Sequence, residues 1–314
     1  MISLLIVSKG IERGINNLSG DNLALRGNVV KAGSSTDPAR SIPGQPVLSR
    51  EEIDASIRHL GIENLAFMPL EANSVNTVLN YLRSISKERE KQMAIHLEDI
   101  AKAGRIREGP VPGILATVFV DDDGQEYIVV STHPDAKDYQ SDLQKAASIV
   151  HEIGATAPFN LTDQENTQRE REVIKSEFKK TLIEAHRDQF QSKKKEIWNG
   201  EERTYGALEE YKEVFLEKQQ AYVAFVNKTI TEIYQKVVTF YGLPEDQMAM
   251  YFAGSFGREE MVEDSDYEIT ILFRSREVFE AWMLDEGHPL FTDISSDVLQ
   301  GKLSFSIDFL EDNR

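Results

Sequence analysis

The 314-residue chain has no cysteine, so disulfides and thiolate metal sites are excluded. That composition fits a reducing compartment, and a cytoplasmic location is the expectation. Long hydrophobic runs are also missing. Residues 2–7, ISLLIV, fall short of the roughly 18 apolar residues a spanning helix needs. No basic n-region precedes them, and they read as a buried N-terminal strand. The six histidines (His59, His96, His133, His151, His186, His288) form neither H-x-x-x-H nor H-E-x-x-H, and each is read as structural. There is no nucleophile-elbow serine and no Walker-type glycine loop with lysine.

Positive charge is scarce where it would matter most. The net charge is −18, and residues 243–314 hold 5 Lys+Arg against 17 Asp+Glu, a net −12. Such a surface repels polyanions and argues against non-specific nucleic-acid binding. It attracts divalent cations instead, and a triphosphate would have to arrive with its metal.

What is present upstream divides into readable segments. Residues 1–50 are rich in Gly, Ser, Asn and Pro and read as loops. Ser49-Arg50-Glu51-Glu52 has a capping-box pattern and starts a helix. Val75, Val78, Leu79, Leu82 and Ile85 fall at helical spacing in a stretch from about 73 to 103. Residues 114–132 read as a β-hairpin around Asp123-Gly124. Asp121 to Asp123 lack the ligand positions of a calcium loop and are assigned to the hairpin tip. A further helix covers 139–153.

Thr162-Asp163-Gln164-Glu165 is a second capping box, opening a helix to about Lys195 with Ile174, Phe178, Leu182 and Ala185 along one stripe. A second long stripe runs over 207–241 and stops at Gly242 and Pro244. The two are expected to form an antiparallel helical hairpin turning at Trp198-Asn199-Gly200.

Residues 250–273, MYFAGSFGREEMVEDSDYEITILF, carry the chemistry. Met248 to Ala253 read as a short apolar strand, and Gly254 permits a turn that a Cβ would crowd. Ser255 offers a hydroxyl and a backbone N–H at the start of a helical turn, and Gly257 leaves room for a ligand to approach the backbone. In 266–273, Tyr267, Ile269, Ile271 and Phe273 alternate with Asp266, Glu268 and Thr270. The two acids therefore share the open face of one strand. Paired acids beside a Gly-Ser turn suit metal-dependent phosphoryl transfer: the acids hold cations and the turn presents N–H groups to phosphate.

A third acid is sought on a later strand. In KLSFSIDFL, residues 302–310, Asp308 alternates with Leu303, Phe305, Ile307 and Phe309, and Gln300-Gly301 reads as a hairpin turn before it. Asp293 and Asp297 are rivals ranked lower, since neither lies in so regular a strand.

Gly254-Ser255-x-Gly257-Arg258-x-Glu260 followed by Ser265-Asp266-x-Glu268 resembles the nucleotidyltransferase superfamily typified by DNA polymerase β. Within it the string is most similar to the protein uridylyl- and glutamine-synthetase adenylyltransferases and to the CBS-associated nucleotidyltransferase domains. The resemblance implies transfer of a nucleoside monophosphate from a nucleoside triphosphate such as ATP to an acceptor hydroxyl. A protein acceptor is favoured over a small molecule. It further implies two Mg²⁺ or Mn²⁺ ions on Asp266, Glu268 and Asp308, acting as the catalytic residues. Gly254, Ser255, Gly257, Arg258 and Ser265 would contact the nucleotide, with Gly254 and Ser255 seating the β/γ-phosphates. Arg258 has a second reading as a tie to Glu260 or Glu263.

The sequence departs from the family at Glu268, where those branches have Asp; the extra methylene moves the ligand by about 1.5 Å, and octahedral Mg²⁺ tolerates little displacement. A catalytically silent nucleotide sensor or protein-interaction module is the alternative. The expected fold is α+β. Residues 1–160 form an unassigned α+β region, 161–242 the helical hairpin, and 243–314 a mixed-sheet nucleotidyltransferase-like core.

Overall fold

The computed structural model describes residues 40–42, 45–198, 208–240, 247–263, 265–284, 287–301 and 303–309. The expected N-terminal strand at 2–7, most of the loop-rich start, the turn after Trp198 and the stop at Gly242 and Pro244 lie outside those residues. The fold is mixed α+β with two sheets. The chain divides into two compact units, and among the described residues one runs to Phe178 and the other begins at Lys179.

The first unit is built on a five-stranded sheet of β1 (Arg40–Ser41), β2 (Ala66–Phe67), β3 (Ile106–Gly109), β4 (Ile114–Val120) and β5 (Glu126–Ser131), in the order β1-β4-β5-β3-β2. The β4/β5 hairpin is antiparallel, while β3 runs parallel to β5. At its tip, Gly124 takes φ +77°. The Asp121 carboxylate there accepts the backbone N–H groups of Asp123 (3.0 Å) and Gln125 (2.8 Å). The acidic triplet is thus a turn device, because an Asp side chain can close a turn on its own backbone.

Helix α1 (Arg50–Leu60) packs Ile53 and Ile57 against Phe119 and Val129 on one sheet face. Its capping box is present as read: Glu52 N–H donates to the Ser49 hydroxyl, and Ser49 N–H to the Glu52 carboxylate. The opposite face carries α2 (Asn73–Ser84), α3 (Glu88–Lys102) and α4 (Asp142–Ala155) over Ile106, Ala116, Ile128 and Val130. The single helix expected over 73–103 is therefore two. Ile85 leaves the helical region at ψ 125°, and the Ser84 hydroxyl bonds back to the Tyr81 carbonyl at 2.7 Å. The break lets both Val75/Val78/Leu82 and Met93/Leu97/Ile100 reach one core.

Helices α5 (Asp163–Trp198) and α6 (Leu208–Phe240) match the two long stripes. Their contacts run in opposite chain directions, with His186 near Glu232, Phe190 stacked on Phe225 and Trp198 against Phe215. The pairing is antiparallel, as expected for a helical hairpin. The boundary between the units falls inside α5, between Phe178 and Lys179.

The second unit has a three-stranded sheet of β6 (Met248–Phe252), β7 (Tyr267–Phe273) and β8 (Leu303–Phe309), with the short turn of helix α7 (Gly254–Gly257) between the first two. β6 is antiparallel and β8 parallel to the central β7. A parallel neighbour needs a crossover. Helices α8 (Arg276–Leu284) and α9 (Gly287–Leu299) supply it. Gln300-Gly301 is accordingly a helix end and not a hairpin turn: Gln300 takes φ 49° just past α9.

One sheet face is the core. Tyr267, Ile269, Ile271 and Phe273 are buried there, and Phe291 of α9 packs edge-on against Phe305 of β8 with ring centroids 5.8 Å apart. The Tyr222 and Tyr267 hydroxyls meet at 2.6 Å, a buried polar bond that sets the height of α6 on β7. From α5, Lys179 reaches Asp293 (3.0 Å) and Gln191 donates to the Val298 carbonyl (3.3 Å) near the end of α9.

Candidate functional site

Antiparallel pairing brings the end of β6 back to the start of β7. The Ala253 N–H donates to the Glu268 carbonyl at 2.9 Å, fixing the Gly-Ser turn beside the acidic strand. Gly254 then takes φ +57°, a conformation natural to glycine and costly for residues with a Cβ. The Glu268 carboxylate lies directly on it. A Cβ at Gly254 would come 2.9 Å from Glu268 Oε1 and closer still to Oε2 and Cδ. Sequence spacing alone placed these two groups in one motif; the structure puts them in contact.

The other glycine of the motif has a different task. A Cβ at Gly257 would fall 3.0 Å from the Phe252 carbonyl carbon and closer to its oxygen. Gly257 therefore lets α7 pack on the end of β6, a task that the motif string did not show. Phe256 is buried beneath, its ring centroid 3.9 Å from that of Phe252.

Arg258 pairs with Glu260 at 2.7 Å, and both are solvent-exposed. This is the second of its two readings, a tie within the motif. Ser265 accepts the Val262 N–H on its hydroxyl (2.8 Å) and donates its own N–H to the Val262 carbonyl (3.0 Å), closing the loop ahead of Asp266. The Glu260 N–H donates to the Ser255 carbonyl at 2.8 Å. Arg258 and Ser265 thus shape the loop, while Glu268 lies against Gly254, the residue before Ser255.

Asp308 is on the expected face but at the wrong height. The β7/β8 ladder pairs Glu268 with Ser304, Thr270 with Ser306 and Leu272 with Asp308. Thr270 and Ser306 hydroxyls touch at 2.6 Å, so partners in one row share a face and meet side to side. Asp308 lies four residues beyond Glu268, roughly 13 Å along the strand at about 3.3 Å per residue. Its carboxylate accepts the Phe309 N–H at 2.9 Å. The expected convergence of Asp266, Glu268 and Asp308 within one metal site does not occur. Asp293 and Asp297 do not replace it, since both lie on α9 beside the Lys179 ammonium.

The pair of divalent cations implied by the resemblance does not fit this donor set. Two cations about 3.5–4 Å apart need carboxylates that bridge and flank them. Among the described residues no three His, Asp or Glu side chains are grouped so that they could hold a metal ion. Next to Glu268, where a third carboxylate would serve, stands Ser304. The sequence showed Ser304 only as one polar residue in an alternating strand. Strand register, which no local pattern encodes, gives it this position.

The first unit holds a group of buried charges that motif reading passed over. Arg169 on α5 donates to Glu90 on α3 at 3.0 Å, with both side chains nearly inaccessible. His151 Nδ1 lies 2.7 Å from the Glu170 carboxylate, and the Tyr81 hydroxyl donates to Glu172. Burial works to raise the Glu90 carboxyl, but bonds from Arg169 and the backbone outweigh it and hold the group below its ordinary range. Burial, reinforced by Glu172, pushes the Tyr81 hydroxyl well above its usual value. These groups dock the first turns of α5 onto α2, α3 and α4. Glu90 and Arg169 sit 79 residues apart, a separation at which no sequence pattern pairs them.

No protein-family model, no curated protein and no solved structure matches this chain.

Proposed function

We propose that the second unit is a nucleotidyltransferase-like module that binds a nucleoside triphosphate carried in with its own divalent cation. The reading is carried by one observation: the Glu268 carboxylate is seated against Gly254, at the turn that also bears Ser255. An acid for the cation and a backbone turn for the phosphates thus adjoin on the open face of the sheet. The acidity of residues 243–314 adds to it, because such a surface favours a metal complex over a bare polyanion. Asp266, at the lip of β7, is the second cation contact. Retained binding without transfer, as a nucleotide sensor, agrees with the poor fit of a cation pair.

Calorimetry of the full chain with Mg²⁺ complexes of a panel of nucleoside triphosphates tests this. Binding should be saturable, need the divalent cation and drop at least tenfold in Asp266→Ala. No affinity for any triphosphate at millimolar concentration would refute the proposal.

The second reading is transfer to an acceptor hydroxyl, with a protein acceptor ahead of a small molecule. Asp308 favours it, because its carboxylate lies on the same open face and is available to orient an acceptor. Pyrophosphate release with Mn²⁺ and a labelled triphosphate separates the two readings. Label on protein, lost in Asp266→Ala, would establish transfer.

A further inference from the structure

We infer that Ser304 occupies the position from which a third carboxylate would complete a cation pair, and that this residue limits the chain to a single cation. The inference rests on the triphosphate reading above and deepens it. Three observations lead to it. Ser304 is the ladder partner of Glu268 in a parallel pair, at an interstrand spacing of about 4.8 Å. The next row shows what that register does to side chains, since Thr270 and Ser306 place their hydroxyl oxygens 2.6 Å apart. Ser304 is also exposed, so a larger side chain there meets solvent and the Glu268 carboxylate rather than packed core.

A hydroxyl cannot do the work of a carboxylate in that place. Neutral serine adds no negative charge, and a second divalent ion close to the first faces strong mutual repulsion. Bridging carboxylates normally offset it. Asp308, with its carboxylate some four residues further along, is too distant to share an ion with Glu268. Substituting aspartate at 304 would put an acid one strand spacing from Glu268 and leave the fold's core face untouched.

The test is Mn²⁺ binding by the full chain, with and without a non-hydrolysable nucleoside triphosphate analogue, followed by calorimetry and electron paramagnetic resonance. Wild type should bind one Mn²⁺ per chain in the presence of the analogue. Ser304→Asp should bind two and show the exchange-coupled spectrum of a close pair, whereas Ser304→Asn should remain at one. Two coupled ions in wild type would overturn the inference without need of any variant. So would a single ion in Ser304→Asp with an unchanged circular dichroism spectrum. If wild type binds neither Mn²⁺ nor the analogue, the triphosphate reading itself falls, an outcome distinct from a wrong assignment of Ser304.

Discussion

Gly254→Ala tests the contact on which the site is built. The added methyl would take the space now filled by the Glu268 carboxylate, 2.9 Å from one oxygen and nearer the other. Two costs follow. Alanine at φ +57° carries a strain of about 1–2 kcal/mol, whatever its neighbours do. Displacing the carboxylate adds a term that depends on Glu268 being there. The end of a glutamate side chain can swing, so this second term is the smaller, about 0.5–1 kcal/mol.

A total of about 2 kcal/mol lowers the melting temperature of a unit this size by roughly 4–8 °C. A double-mutant cycle isolates the second term. In a Glu268→Ala background, Gly254→Ala should cost only the backbone strain, leaving a coupling of at least about 0.5 kcal/mol. Urea unfolding, followed by hydrogen exchange at β7 amides, reads the second unit separately from the first. Additive costs within about 0.3 kcal/mol would show that Glu268 does not rest on Gly254, and the adjacency of acid and turn would fail with it.

In the first unit, Arg169→Ala should destabilise by about 3 kcal/mol, the low end for breaking a buried pair, because Glu90 loses its hydrogen-bonded cation and keeps only Arg89 at 3.6 Å; urea unfolding checks it. The pH dependence follows from the same pair. The folded value for Glu90 is held below the ordinary 4.5, so its stabilisation is present above that pH and is lost as pH falls through the folded value. The urea midpoint of wild type should therefore drop on acidification below about 4.5, and Arg169→Ala should lose the part of that slope that comes from Glu90.

Much of this architecture is legible in one sequence wherever the signal is local. Both capping boxes, the β4/β5 hairpin, the long stripes of α5 and α6 and the alternation of β7 depend on neighbours a few residues apart. The failures share a different origin. Alternation put Asp308 on the correct face but could not give its height, because a parallel strand reached through α8 and α9 has no turn to set its register. Gly257 was read only as room for a ligand, and its packing against the Phe252 carbonyl could not be seen from the local string. The buried Arg169–Glu90 pair joins residues too far apart for any periodic pattern. Ser304 was visible throughout, yet its significance exists only relative to Glu268 across the ladder.

Because the two units divide within α5, no loop separates them at that point. Proteases and insertions favour exposed irregular segments, and a continuous helix offers them none. Anyone wishing to produce the second unit alone must cut a helix. A fragment beginning at Lys179 would start with four backbone N–H groups lacking acceptors and no capping residue ahead of them. Placing Ser or Asp immediately before Lys179, with Glu three positions on from that cap, would rebuild the beginning that Thr162 and Glu165 give the natural helix.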